Sequence, residues 1–520
     1  ELSFFLSFRP QELIGNNLKR AKKYVGFSTL AILIAFAVLI ISLTATITVA
    51  FSNQSVAITN VASTEALQNA QDALQKIALQ AQENFYSVGS QTTTTPMTGI
   101  QIACATTSTI GCLTLQTIVN DLTQCKKQVT ERAIYQPEAL RQQHIDLTTI
   151  LTSPKTFFEQ GNDCGGDEPA DDWTNPQTLS SIDFMPAGAK ATDVDAINNI
   201  VFMTADDPSA PKEDFYIFDA ADPANPTLVH SLDSGKSLNA LDVILHTDGN
   251  YYAFVAHTSS SNQLQVISTP GDLSSVPTIV AQETLPGVSG TYPEGRSLFY
   301  YKKRLYVGTH YNGPNVSNKE FHVYDVTNPL NPLYLSGFKV YHNVNAIIVR
   351  EQQNGNTTST FAYLATSGNT EDAMVLDVSN PFSPTEISQA SVNLIGNEDA
   401  QSIFAIGNKL YLGRSKTASA RPDFFILDIA NPTNGIATFG SIYLNADDIN
   451  DIRVAGPLAF LGTGDANLGF KVLDISNPSN ILIRGSYNYS ENTSAIDYED
   501  GFVYTANRSN DALRIIYSAP

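Results

Sequence analysis

Positive charge is scarce in this sequence. Its 520 residues hold 30 Lys and Arg against 51 Asp and Glu, a formal charge of −21. A surface that acidic repels phosphate backbones, which argues against nucleic acid as a partner. The little cationic character there is gathers early: residues 1–25 hold Arg9, Lys19, Arg20, Lys22 and Lys23 against Glu1 and Glu12. Cysteine is far sparser, with four residues, and tryptophan occurs once. No His-Glu-x-x-His, Gly-x-Ser-x-Gly, P-loop or Gly-x-Gly-x-x-Gly occurs, so no familiar catalytic constellation is present. The histidines are scattered, and His230, His246, His257, His310, His322 and His342, all near strands or loops, read as structural. What the chain has in quantity is Leu, Ile, Val and aromatic residues, enough for a large globular core and more than one domain.

The basic cluster precedes a run from Phe27 to Phe51 of 25 residues without a charge, Gly or Pro. At 1.5 Å per residue such a helix crosses a hydrocarbon core about 30 Å thick. The expectation is a transmembrane helix with residues 1–26 on the cytoplasmic side and the bulk outside. Helical spacing continues beyond it: Leu67, Ala70, Leu74, Ile77, Ala81, Phe85 and Val88 form one narrow apolar stripe, suited to packing on a neighbouring domain or subunit. The helix is expected over 27–90, ending at Gly89 before a polar linker.

Lys22-Lys23-Tyr24-Val25-Gly26, followed by Phe27 and the apolar run, resembles the class III leader of type IV pilins, and Glu65–Ile77 resembles the helix of PilX-like minor pilins. That resemblance implies cleavage after Gly26, a methylated Phe27, and a helix that polymerises with its own copies or other pilins. A plain membrane anchor is the alternative.

Residues 91–171 read as a linker and small module carrying Cys104, Cys112, Cys125 and Cys164. Four cysteines confined to one extracytoplasmic module argue for two disulfides, with Cys104–Cys112 and Cys125–Cys164 favoured by proximity in sequence. Zinc is the rival, but no Cys-x-x-Cys occurs. Leu113–Val129 and the stretch after Pro137 read as helices.

From Asp172 onward a unit repeats. A strand closes on an Asp followed by an Asn-Pro turn, as in Phe321–Asp325 with Asn328-Pro329 and Phe470–Asp474 with Asn477-Pro478. The anchors at 219, 268, 325, 377, 428, 474 and 517 are 43 to 57 residues apart, the length of one four-stranded propeller blade. The seventh copy lacks its outer strand, and Asp172-Trp-Thr-Asn-Pro176 with strand 177–185 supplies it from the front of the domain. The repeats resemble the LVIVD family of propellers. The expected fold is therefore mainly β: a seven-bladed β-propeller over 172–520, a long N-terminal transmembrane or pilin-like helix, and a disulfide-linked connecting module. The repeated Asp residues read as Asx-turn acceptors ahead of Asn-Pro.

One constellation goes further. Counting back four residues from the apolar residues Ile197, Val243, Leu298, Ile347, Ile403, Ile452 and Ile496, taken as the start of each innermost strand, gives Asp193, Asn239, Glu294, Asn343, Asp399, Asp448 and Asn492. Two residues back stand Asp195, Leu241, Arg296, Asn345, Gln401, Asn450 and Ser494. Oxygen-rich rings at a channel mouth suit a glycan or a hard cation, with Asp193, Glu294, Asp399 and Asp448 as ligands for Ca²⁺. The alternative is that each caps the turn into its strand. No other cofactor is implied. The sequons at Asn315, Asn356, Asn488, Asn492 and Asn507 fit an exposed, glycosylated surface.

These readings converge on a non-enzymatic, surface-displayed subunit whose helix anchors or polymerises it and whose propeller binds a surface glycan or protein. A monomeric membrane-anchored receptor or scaffold, and a surface enzyme at the channel mouth, are the alternatives.

Overall fold

The computed structural model describes residues 67–68, 70–77, 92–96, 113–123, 126–138, 141–152 and 171–520, except 185–188, 207–212, 316, 355–356, 417–420, 445–447, 465–468, 490 and 510. The chain divides into two compact units, Glu1–Ser153 and Pro154–Pro520.

In the first unit β1 (Thr92–Pro96), β2 (Leu113–Thr123), β3 (Lys126–Glu138) and β4 (Arg141–Thr152) form an antiparallel sheet in that order. Leu115 and Val119 of β2 and Val129 and Ala133 of β3 stand on one face at the two-residue period of a strand, all buried. A short helix over 70–77 lays Ala70, Ala73, Leu74 and Ile77 on that face. The opposite face carries a two-pronged ion pair, with Arg132 Nε and Nη2 each 2.8 Å from an oxygen of Asp146.

Two expectations are corrected here. Leu113–Val129 and the segment after Pro137 are strands, because their β-branched and apolar residues alternate across a sheet instead of recurring at helical steps. The long transmembrane or pilin-like helix and the disulfide-linked module are not what the structure shows. Among the described residues there is one short helix, no helix long and apolar enough to cross a membrane, and no disulfide. The described part of the helical stripe, from Ala70 to Ile77, lies against its own sheet. Residues 1–66, with Gly26, Phe27 and the apolar run, and all four cysteines lie outside the described residues.

The second unit is a β-propeller of seven four-stranded antiparallel sheets. The innermost strands of blades 1 to 7 are Lys190–Ile197, Leu238–Leu245, Gly295–Tyr301, Val344–Asn354, Ala400–Ile406, Ile449–Ala455 and Thr493–Glu499. Each packs beside the next, and the last packs beside the first, so the ring is closed. Neighbouring blades press aromatic faces together: Phe254 stacks on Tyr300 at 5.9 Å and Phe460 on Tyr498 at 5.1 Å. The Asp that ends the third strand in five of the blades does accept locally. Asp325 Oδ1 takes the Thr327 N–H at 2.9 Å, and Asp377, Asp428 and Asp474 repeat the turn.

The outer strand of blade 7 is Pro176–Ile182, paired antiparallel to Leu513–Ser518. This joins chain segments more than 300 residues apart and removes an open sheet edge. Trp173 locks the junction. Its backbone has φ 54°, its side chain is fully buried 4.8 Å from Phe460, and its N–H donates to Ser518 Oγ at 3.0 Å. Trp173→Ala should lower the stability of the propeller by about 3 kcal/mol or more, the usual cost of emptying a buried aromatic site. Urea unfolding followed by far-ultraviolet circular dichroism measures it; an unchanged midpoint would mean that closure does not depend on this side chain.

Candidate functional site

The innermost strands surround a cavity of about 350 Å³ on the propeller axis. Every one of these strands carries a β-bulge near its start, which places one extra residue against its partner. The bulge residues are Thr192, Asn239, Arg296, Asn345, Gln401, Asn450 and Ser494, all polar and all bordering the cavity. A bulge resets the alternation of faces, so the residue after it also turns inward, and so does the third.

Most of these side chains clasp the next blade. Thr192 donates to the Leu238 carbonyl at 2.7 Å, Asn239 to Gly295 at 2.7 Å, Asn345 to Ala400 at 2.6 Å and Asn450 to Thr493 at 2.7 Å. Ser297 and Ser402, one residue after the bulge, reach the carbonyls of Val344 and Ile449. Aspartates do the converse and accept from the next blade's N–H groups. Asp193 takes Leu241 at 2.8 Å, Asp195 takes Val243 at 2.8 Å, Asp242 takes Tyr300 at 2.7 Å, Asp451 takes Ile496 at 2.9 Å and Asp497 takes Ala196 at 2.8 Å. These contacts pair backbone groups on the inner edge of each blade, which has no further strand of its own sheet beside it.

One cation serves much of this acidic wall. Arg453 places Nη1 3.1 Å from Asp451 and Nε 3.1 Å from Asp497, and its guanidinium lies 5.9 Å over the ring of Phe404. Burial opposes its charge, but Asp451, Asp497 and Asp193 together outweigh burial and hold its pKa above the ordinary arginine value. Burial pushes the carboxyls of Asp193 and Asp242 up to about 7; the Asp451 carboxylate adds to the rise at Asp193, and hydrogen bonds from backbone N–H groups hold both back.

At the front mouth, where the innermost strands begin, a second cluster forms. His310 Nε2 is 3.3 Å from Glu294 and 3.0 Å from Arg296 Nη1, while Arg296 Nε donates to Asn345 at 2.7 Å. Burial raises the carboxyls of Glu294 and Asp399, with Arg296 drawing both back. Burial lowers His310 and His342, and Arg296 lowers His310 further. Asn343 accepts the Tyr311 N–H at 2.9 Å, and the Asp448 carboxylate accepts that of Lys416, each tying its strand to a loop of the preceding blade. Asn492 receives the Arg508 N–H on its own backbone carbonyl, at 2.9 Å.

The oxygen-rich ring read from the sequence is thus split. Glu294, Asn343, Asp399, Asp448 and Asn492 share the mouth layer, each two residues before its bulge. Asn239 is itself a bulge residue, and Asp193 follows one, so both lie deeper. In blades 1 and 2 the residues equivalent to Leu298 and Ile347 are Val194 and Leu241, not Ile197 and Val243, which moves Asp193 and Asn239 out of the mouth layer. Asp193, Glu294, Asp399 and Asp448 therefore do not form one calcium site, and among the described residues no three His, Cys, Asp or Glu side chains are grouped to hold a metal ion. Arg296 and Asn345 come together with the mouth cluster. Asp242, Asp451, Arg453 and Asp497 went unread; their signal is a charge inside an otherwise apolar innermost strand, as in Leu241-Asp242-Val243. Of the sequons, Asn507 is fully buried and hydrogen-bonded to Thr493 and Thr505, so the folded chain cannot carry a glycan there. Asn315 and Asn488 are exposed, and Asn356 lies outside the described residues.

The model of the LVIVD repeat family matches residues 359–391 and 448–489, in blades 4 and 6. The chain carries LVIVD repeats. No curated protein sequence matches it. Solved structures that resemble it include a crystal structure of the mitotic checkpoint complex, at 12% identity and a TM-score of 0.43 over 68% of this chain and 96% of that one. Another is Chaetomium thermophilum Sqt1 bound to the N-terminus of ribosomal protein L10, at 11% identity and a TM-score of 0.40 over 78% and 93%. Likeness this distant bears on neither ligand nor activity.

The cavity wall of the propeller makes a pH prediction. Asp242 has an ordinary value of 3.8 and is raised to about 7 in the fold, so the folded state binds its proton more tightly than the unfolded chain. Its stabilising contribution is full below pH 3.8 and disappears as the pH rises through 7. Asp242→Asn keeps an acceptor for the Tyr300 N–H but has no proton to lose. The melting temperature of the variant relative to the unsubstituted chain should therefore climb between pH 5 and pH 8. A difference independent of pH would show that the carboxyl is not raised.

Proposed function

We propose that this chain is a non-catalytic receptor whose propeller takes a polyhydroxylated ligand, a glycan, into its central channel through the front mouth, and that it is displayed outside the cell for adhesion or ligand capture. The observation that carries this is the chemistry of the cavity wall. Bulge residues from seven blades supply amide, hydroxyl and guanidinium groups at one level, beside carboxylates and apolar side chains at the next. At about 350 Å³ the cavity is of a size that small-molecule sites use. Aromatic side chains flank its mouth: Tyr292, Tyr311 and Tyr341 are all more than a third exposed, Tyr292 lies 5.4 Å from His310, and Lys339 sits over Tyr311 and Tyr341. Such rings stack on the C–H faces of sugars, while neighbouring amides and carboxylates take the hydroxyls. Binding is favoured over catalysis because each wall aspartate holds one oxygen on a backbone N–H of the next blade, and no acid and base stand paired across an open space.

Gln401 gives the test. It borders the cavity and makes no side-chain hydrogen bond among the described residues. Gln401→Trp should leave the melting temperature unchanged and weaken binding on a glycan array by at least about tenfold, since the indole occupies the ligand's space. Array binding equal to that of the unsubstituted chain would place the ligand elsewhere.

A further inference from the structure

The cavity wall is two-sided. At the third position after the bulge, blades 3, 4 and 5 present Phe299, Ile348 and Phe404, all bordering the cavity. At the same position blades 7, 1 and 2 present Asp497, Asp195 and Asp242. Because the blades follow one another around the ring, an apolar semicircle faces an acidic one. The whole lining carries five aspartates against three arginines, a formal excess of two negative charges.

Two observations say what such a wall accepts. The first is Arg453, whose guanidinium, 27% exposed, already lies over Phe404 and between Asp451 and Asp497. An organic cation resting on an aromatic ring and a carboxylate is thus an arrangement this wall already makes. The second is Asp242. It is 92% buried by its relative exposure of 8%, its Oδ2 holds the Tyr300 N–H, and its Oδ1 accepts nothing among the described residues. In sequence Phe299 immediately precedes that Tyr300, so a free carboxylate oxygen and an aromatic ring stand on adjoining strands of one cavity.

We propose that the channel selects a sugar carrying a free amine. The ammonium group pairs with Asp242, the C–H face of the pyranose ring rests on Phe299, and the hydroxyls meet the bulge-level side chain of Gln401. This rests on the glycan-binding reading above and narrows it to a cationic amino sugar. A neutral sugar leaves the Asp242 oxygen desolvated without a partner, and N-acetylation removes the charge that would pair with it.

Isothermal titration of the full chain at pH 8 with glucosamine, N-acetylglucosamine and glucose tests the proposal. The expected result is binding of glucosamine at least about tenfold tighter than either neutral sugar. Asp242→Asn, which retains an acceptor for Tyr300, should erase that preference. Phe299→Leu should weaken glucosamine binding while leaving the preference for the charged form. Equal affinity for glucosamine and glucose, or an unchanged preference in Asp242→Asn, overturns the amino-sugar inference and leaves the glycan-binding channel standing. Failure of all three sugars alongside binding of a neutral oligosaccharide on the array also overturns it. Failure of every carbohydrate overturns both readings.

Discussion

Everything in the propeller depends on seven strands being brought close around one axis while each carries a bulge. Each innermost strand is the inner edge of its blade, so its channel-facing N–H and C=O groups have no strand of their own sheet beside them, and buried groups of that kind must find partners. The chain meets this with side chains from the neighbouring blade. Asn239, Asn345 and Asn450 reach carbonyls, and Asp193, Asp242, Asp451 and Asp497 reach N–H groups. The polarity of the channel is therefore first a structural necessity. Asx turns at Asp325 and its equivalents, and the Trp173 junction, complete the ring around this axis.

The same clasp determines what is left for a ligand. Amides and hydroxyls that donate to a neighbouring blade are spent, and a carboxylate that accepts one N–H retains a second oxygen. The acidic wall thus keeps more unsatisfied capacity than the amide wall. Its cost shows in the raised carboxyls of Asp193 and Asp242, which burial and neighbouring charges hold near 7. Arg453 offsets part of that cost from within the chain, and a bound cation would offset more.

Much of the propeller was legible because its signals are local and repeated. Alternating apolar strands, an Asp at the strand end and Asn-Pro starting three residues after it follow from turn chemistry, and all three survive together in four of the seven blades. The closing strand was legible for the same reason, since Asp172–Pro176 repeats Asp325–Pro329. The site was less so. A bulge changes which side chain faces inward without leaving a residue signature of its own, and in blade 1 two aspartates flank Val194 and hide the apolar mark of the register. The β2–β4 sheet was misread as helix because no turn residue separates Leu113–Thr123 from Lys126–Glu138. In that stretch only the pairing of Val119 with Val129 across two strands reveals the alternation.

Amide hydrogen exchange on the intact chain tests the account most directly, read at the N–H groups that channel carboxylates accept from the next blade. If those clasps hold the ring, the amides of Ala196, Leu241, Tyr300 and Ile496 exchange only through global unfolding of the propeller. Exchange at those four sites as fast as at an exposed turn such as Gly235 would show that the blades are held by their apolar faces alone. The channel's charges would then owe nothing to the fold.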